Sequence, residues 1–97
     1  MEQLIYLNEL FDIYSSLLTE KEKECFLDYY GEDLSLSEIA ENNSVTRSAI
    51  HKTIKTVEEK LTDFESKLQI HSKNQLIRKV LTETDLNKIK EQLQEII

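Results

Sequence analysis

Six residues in one short stretch carry the side chains best suited to chemistry: Thr46, Arg47, Ser48, His51, Lys52 and Lys55. Arginine can grip a phosphate or read guanine in a major groove. Serine and threonine bond phosphate oxygens, and lysine adds a point charge. From Val45 to Val57 no acidic residue interrupts them. Nothing inside the stretch therefore repels a polyanion, and the pattern points to DNA or RNA.

The other reactive side chains point to no catalysis. Cys25 is the only cysteine. It lies on an apolar helical face and reads as core rather than nucleophile; an internal disulfide is excluded, and a reducing compartment fits. His51 and His71 lack the partner Cys or His of a zinc site. The lone Gly31 cannot make a phosphate-cradling loop. Glu20, Glu22 and Glu24 alternate with Lys21 and Lys23, as on a solvated helix face. Tyr29 and Tyr30 are placed to stack on bases, but the end of an amphipathic helix favours half-buried core. We expect no enzyme, no metal and no cofactor.

Charge works against a simple nucleic-acid reading. The chain carries a net −7, whereas domains that bind nucleic acid are typically basic. Residues 1–44 hold eleven acids and two bases, net −9; residues 45–60 carry +2; residues 61–97 balance. A short basic strip thus sits on an acidic body. The alternative is a protein-interaction module whose acidic N-terminal helices meet a basic partner, since charge complementarity speeds encounter.

The elements that must position the strip are helices. Proline is absent and glycine nearly so, which disfavours turn-rich β folds. Leu4, Leu7, Leu10, Phe11, Tyr14, Leu17 and Leu18 recur at steps of three and four, predicting a helix from Gln3 to Leu17. Thr19 with Glu22, and Ser35 with Glu38, form the T-x-x-E and S-x-x-E capping boxes of two further helices. Cys25, Phe26, Tyr29 and Tyr30 face inward on the first of these, and Gly31 is expected to end it in the left-handed conformation. Leu36 to Glu41 is the next helix. The turn spans Glu41 to Val45, Ala40 is small enough for a close crossing, and Ile39, Val45 and Ile50 are expected to share one apolar contact. Thr46 caps a long helix of about seven turns running to His71, on the stripe Ile50, Ile54, Val57, Leu61, Phe64 and Leu68. Ser72 with Gln75, then Thr84, are expected to cap two amphipathic C-terminal helices. The last carries Leu86, Ile89, Leu93, Ile96 and Ile97, a face that either folds back on the long helix or pairs in a homodimer.

These elements predict one all-α domain over residues 1–97, with a helix-turn-helix within 35–58 and a C-terminal helical extension over 73–97. The N-terminus, MEQLIYLNELFDIY, lacks the basic start of a signal peptide. No apolar run approaches the roughly 20 residues that span a bilayer. A cytoplasmic protein without membrane insertion is expected.

The run from Phe11 to Leu68 resembles the YlxM-type proteins of Gram-positive bacteria and mycoplasmas. The matching parts are YSSLLTEKE, the pair Tyr29 and Tyr30, LSLSEIAE and VTRSAIHKTIK. The resemblance implies an all-helical fold whose helix-turn-helix is similar to region 4 of sigma factors. It also implies a DNA-binding or regulatory role in the signal recognition particle pathway, drawn from a gene lying beside those of the particle's GTPases, with components of that particle as partners. One position departs from the family: its turn usually carries Gly just before the Val, where this chain has Ser44. Left-handed backbone there costs a serine about 1 kcal/mol more than a glycine. Either Asn43 takes that conformation or the turn is remodelled.

Overall fold

A computed structural model describes residues 2–97, and among them every regular element is helical. The helices are α1 (Glu2–Tyr14), α2 (Glu20–Phe26), α3 (Leu36–Asn42), α4 (Arg47–Leu68), α5 (Ile70–Leu81) and α6 (Leu86–Ile96). A short 3-10 turn, Ser15–Leu17, follows α1, and a π-turn, Leu27–Gly31, extends α2. The predicted all-α class holds.

Both capping boxes close as expected. The Thr19 hydroxyl accepts from the Glu22 amide while the Glu22 carboxylate accepts from Thr19, and Ser35 and Glu38 do the same. The long helix α4 is the spine. Its inner stripe, Ile50, Ile54, Val57 and Leu61, is buried along its length. The upper half packs with Cys25, Ile39 and Ala40. The lower half packs with Leu7, Leu10, Phe11, Tyr14, Leu18 and Phe26. Phe11 and Phe26 stack with ring centres 4.4 Å apart, so α1 and α2 are locked together beneath α4.

Polar ties fix the same packing. Lys60 Nζ donates to Glu22 Oε2 at 2.6 Å, and the Tyr30 hydroxyl donates to Glu58 Oε1 at 2.7 Å. Burial penalises the charged Glu22 carboxylate, but the Lys60 ammonium and the Thr19 amide outweigh it and hold the group below its ordinary value.

Several local expectations are corrected. Gly31 is not left-handed; no glycine here has positive φ, and Asp33 takes that conformation instead, at φ 57°. The cause is the π-turn, in which the Glu32 amide reaches back to the Leu27 carbonyl at 2.9 Å and moves the chain reversal onward. Leu17 is exposed, because the 3-10 turn after Tyr14 shifts the register and buries Leu18 in its place. The long helix stops at Leu68, short of His71, at a left-handed Gln69 with φ 55°. Ser72 is therefore inside α5 and caps nothing; its amide and hydroxyl both bond the Glu65 carboxylate. Asp85, not Thr84, caps α6, its Oδ1 accepting from the amides of Asn87 and Lys88. The last helix does not fold back on α4: it packs principally along α5, and the molecule is elongated, 58 × 22 × 17 Å. Finally, Ile39 and Ile50 are buried as expected but Val45 is 45% exposed.

The turn resolves the question posed by Ser44. Neither Asn43 nor a remodelled loop substitutes for glycine: Ser44 itself is left-handed, at φ 56°, while Asn43 has φ −102°. The Ser44 amide bonds the Glu41 carbonyl at 3.2 Å and the Val45 amide bonds Ala40 at 3.0 Å. This is the paired bonding of a Schellman ending, which favours glycine at that position. Ser44→Gly is expected to stabilise the protein by about 1 kcal/mol, read as a higher urea midpoint with unchanged slope.

Candidate nucleic-acid interface

The strip predicted from sequence is assembled on one open face. Thr46 is the N-cap of α4, its Oγ1 accepting from the Ala49 amide at 3.1 Å. Its hydroxyl accepts one bond from the helix and keeps its proton to donate to a ligand. Arg47, Ser48, His51, Lys52 and Lys55 are all exposed. At 100° per residue, Ser48, His51, Lys52 and Lys55 share a face turned away from Ile50, Ile54 and Val57, with Arg47 at its leading edge. The same phase carries on to Glu59 and Asp63, so acid closes the strip after three turns. The basic surface is thereby confined to the N-terminal part of α4.

The six are not equivalent electrostatically. Among the described residues Arg47 and Lys52 enter no ion pair, whereas Lys55 Nζ lies 3.6 Å from Glu58 Oε2. That pair is exposed on the lysine side and weak, so Lys55 can still be drawn to a phosphate. The first turn of α4 carries no acidic residue, and its free amides add to the positive end of the helix.

Sequence reasoning missed a cleft on another flank of α4. Lys21, Asn43, Val45, Ala49 and Thr53, with Glu24 and Asp28, line a cleft of about 120 Å³ between α2, the turn and α4. Lys21 brings a cation from the acidic N-terminal half, and Val45 brings an apolar side chain. The distance of Lys21 along the chain from Val45 hides the grouping; only the docking of α2 on α4 reveals it. Cys25 lines the same cleft. Burial, and then the nearby Asp28 carboxylate, pushes its thiol up, which keeps it protonated and unreactive. The Tyr30 hydroxyl is likewise raised, by burial and by its bond to Glu58, and is spent inside the protein. Among the described residues no group of His, Cys, Asp and Glu is arranged to hold a metal ion, and no helix is long and apolar enough to cross a membrane.

Fold and strip together define a small helix-turn-helix protein. The family described as a putative helix-turn-helix protein, YlxM / p13 like, matches residues 1–97. This chain is 43% identical over 97 residues to the UPF0122 protein of Fusobacterium nucleatum, covering 100% of this chain and 94% of that one. It is 43% identical over 86 residues to the UPF0122 protein of Malacoplasma penetrans, covering 89% and 80%. With the UPF0122 protein of Clostridium botulinum it shares 47% over 74 residues, covering 76% and 68%. The chain belongs to the UPF0122 family.

Proposed function

We propose that this chain is a cytoplasmic nucleic-acid-binding regulator that presents the start of α4 to a groove of DNA or structured RNA. The observation that carries the reading is the capped, acid-free and fully open stripe of Arg47, Ser48, His51, Lys52 and Lys55 on the second helix of a helix-turn-helix. Thr46 sets the helix start, Arg47 and Lys52 supply unpaired charge, and Lys55 extends the footprint by one turn. The family's description as helix-turn-helix supports binding rather than catalysis. The acidic body limits affinity, since it faces any long polyanion with like charge. Binding is therefore weak and falls steeply with salt. A place in the signal recognition particle pathway rests on the YlxM resemblance, which makes that particle's RNA the first RNA to try.

Labelled duplex DNA and the particle RNA are titrated at low salt with the parent chain and with Arg47→Ala/Lys55→Ala. The double variant is expected to bind about tenfold more weakly, with a salt slope shallower by about two. Equal binding by both proteins, or none by either, defeats the reading. Retention of the variant by one polymer alone identifies that polymer as bound through some other surface.

A further inference from the structure

The C-terminal hairpin leaves an apolar face without a partner inside the chain. The half-buried apolar residues of α5 and α6 are Leu76, Val80, Ile89 and Ile96, which mark the seam between the two helices. Ile77 and Leu81 stand one residue on from the α5 seam positions, 100° around the helix. On α6, which follows a short connection and packs on α5, Leu86, Leu93 and Ile97 are likewise displaced to one side of the seam positions Ile89 and Ile96. Leu81 is 79% exposed, Leu86 63% and Ile97 103%. Ile77 and Leu93 are also open. The face thus involves both helices, with exposed Lys90 on the same side of α6 as Leu86, Leu93 and Ile97. Contiguous open apolar surface is where monomers carry interaction sites, and a helix pair normally buries such a stripe against another element.

We infer that this face is covered by a second copy of the chain, the two hairpins packing about a twofold axis as a four-helix layer. Charge selects that occupant. Residues 1–69 carry seven bases and fifteen acids, net −8, whereas residues 70–97 carry five bases and four acids, net +1. Two copies repel each other through their net-acidic bodies, and the nearly neutral hairpin lets them meet with little repulsion. A basic partner would be drawn to the body, and a strongly charged one of either sign gains nothing from a nearly neutral apolar face. A twofold contact uses the same patch on both chains, so apolar side chains meet apolar side chains. Since α6 meets the rest of its own chain principally through α5, pairing displaces nothing already packed. The inference does not rest on nucleic-acid binding, and its readout is mass.

Sedimentation equilibrium of the full chain across a wide range of concentration is expected to show the mass rising from 11.4 kDa to twice that value. Leu81→Lys/Leu93→Lys is expected to weaken association by about tenfold or more with helix content unchanged. Ile5→Lys, equally exposed but off the hairpin, is expected to leave association as in the parent. A parent that stays monomeric throughout, or a double variant that pairs as the parent does, overturns the proposal. Amide exchange of the parent at low and high concentration decides the matter without any variant. Slower exchange at high concentration confined to α5 and α6 supports it, and exchange independent of concentration overturns it.

Discussion

Glu65→Ala is expected to destabilise the protein by about 3 kcal/mol, which lowers its melting temperature by roughly 15 °C in a chain of this size. Glu65 is 6% exposed and sits where α4 ends and α5 begins. Its Oε1 accepts the Tyr14 hydroxyl at 2.6 Å and the His71 amide at 3.0 Å; its Oε2 accepts the Ser72 amide at 3.1 Å and the Ser72 hydroxyl at 3.0 Å. The carboxylate thus serves as the missing cap of α5, whose own N-cap Gln69 bonds nothing with its side chain. Alanine strands a buried phenol and two helix-start amides together, and orphaned donors cost more than an average bond contributes. Glu65→Gln keeps the shape but swaps one acceptor for a donor aimed at donors, so an intermediate loss is expected. Urea unfolding at neutral pH checks both.

The same site sets a pH dependence. Burial alone would raise Glu65, but the Tyr14 hydroxyl and the amides of His71 and Ser72 outweigh it, and the group lies below its ordinary value of 4.5. Glu22 is lowered in the same sense, against the same penalty of burial, by Lys60 and Thr19. For such groups the unfolded chain takes up protons first as pH falls. Their stabilisation is complete above about 4.5 and drains away below it as the folded carboxylates are protonated in turn. Parent stability should therefore fall steeply from pH 4.5 downward, and Glu65→Ala should flatten that limb.

What could be read from the sequence was local. Capping boxes at Thr19 and Ser35 and the stripe of α4 from Ile50 to Leu61 announce themselves within a few residues and formed where expected, whereas Leu68, expected at the foot of that stripe, is exposed. The open strip from Thr46 to Lys55 was legible for the same reason. The break at Gln69 was not, because no glycine or proline marks it. It is imposed by Glu65, which draws Tyr14 from 51 residues away onto the start of α5. Gly31 misled because a π-turn, which has no sequence signature, spent the glycine on ordinary backbone. The cleft that Lys21 shares with Val45 and Thr53 was invisible because only tertiary packing brings α2 to α4. The apolar stripe of α6 was evident, yet its seat on α5 depends on a connection whose cap, Asp85, lies one residue beyond Thr84.

The contrast between Ile39 and Val45 carries the other large effect. Spacing alone gives them equal parts in one apolar contact, but Ile39 has no exposed surface while Val45 opens onto the cleft between α2 and α4. Ile39→Ala removes three carbons from between α3 and α4, where nothing can collapse into the gap without moving a helix. A loss of about 3–4 kcal/mol is expected, read from urea midpoints. Val45→Ala should cost less than about 1 kcal/mol, as exposed truncations do. Equal losses would mean that Val45 is core in solution and that the turn closes further than described. Ile39→Ala also separates folding from binding. It leaves every charged side chain of α4 in place, so any fall in nucleic-acid affinity must follow the fraction unfolded and recover on cooling toward the temperature of greatest stability. Arg47→Ala/Lys55→Ala, by contrast, removes no buried surface and should lose affinity at full stability. That pairing of outcomes is what a groove-reading α4 requires, because its contacts are made by exposed charge on a helix held in place by Ile39.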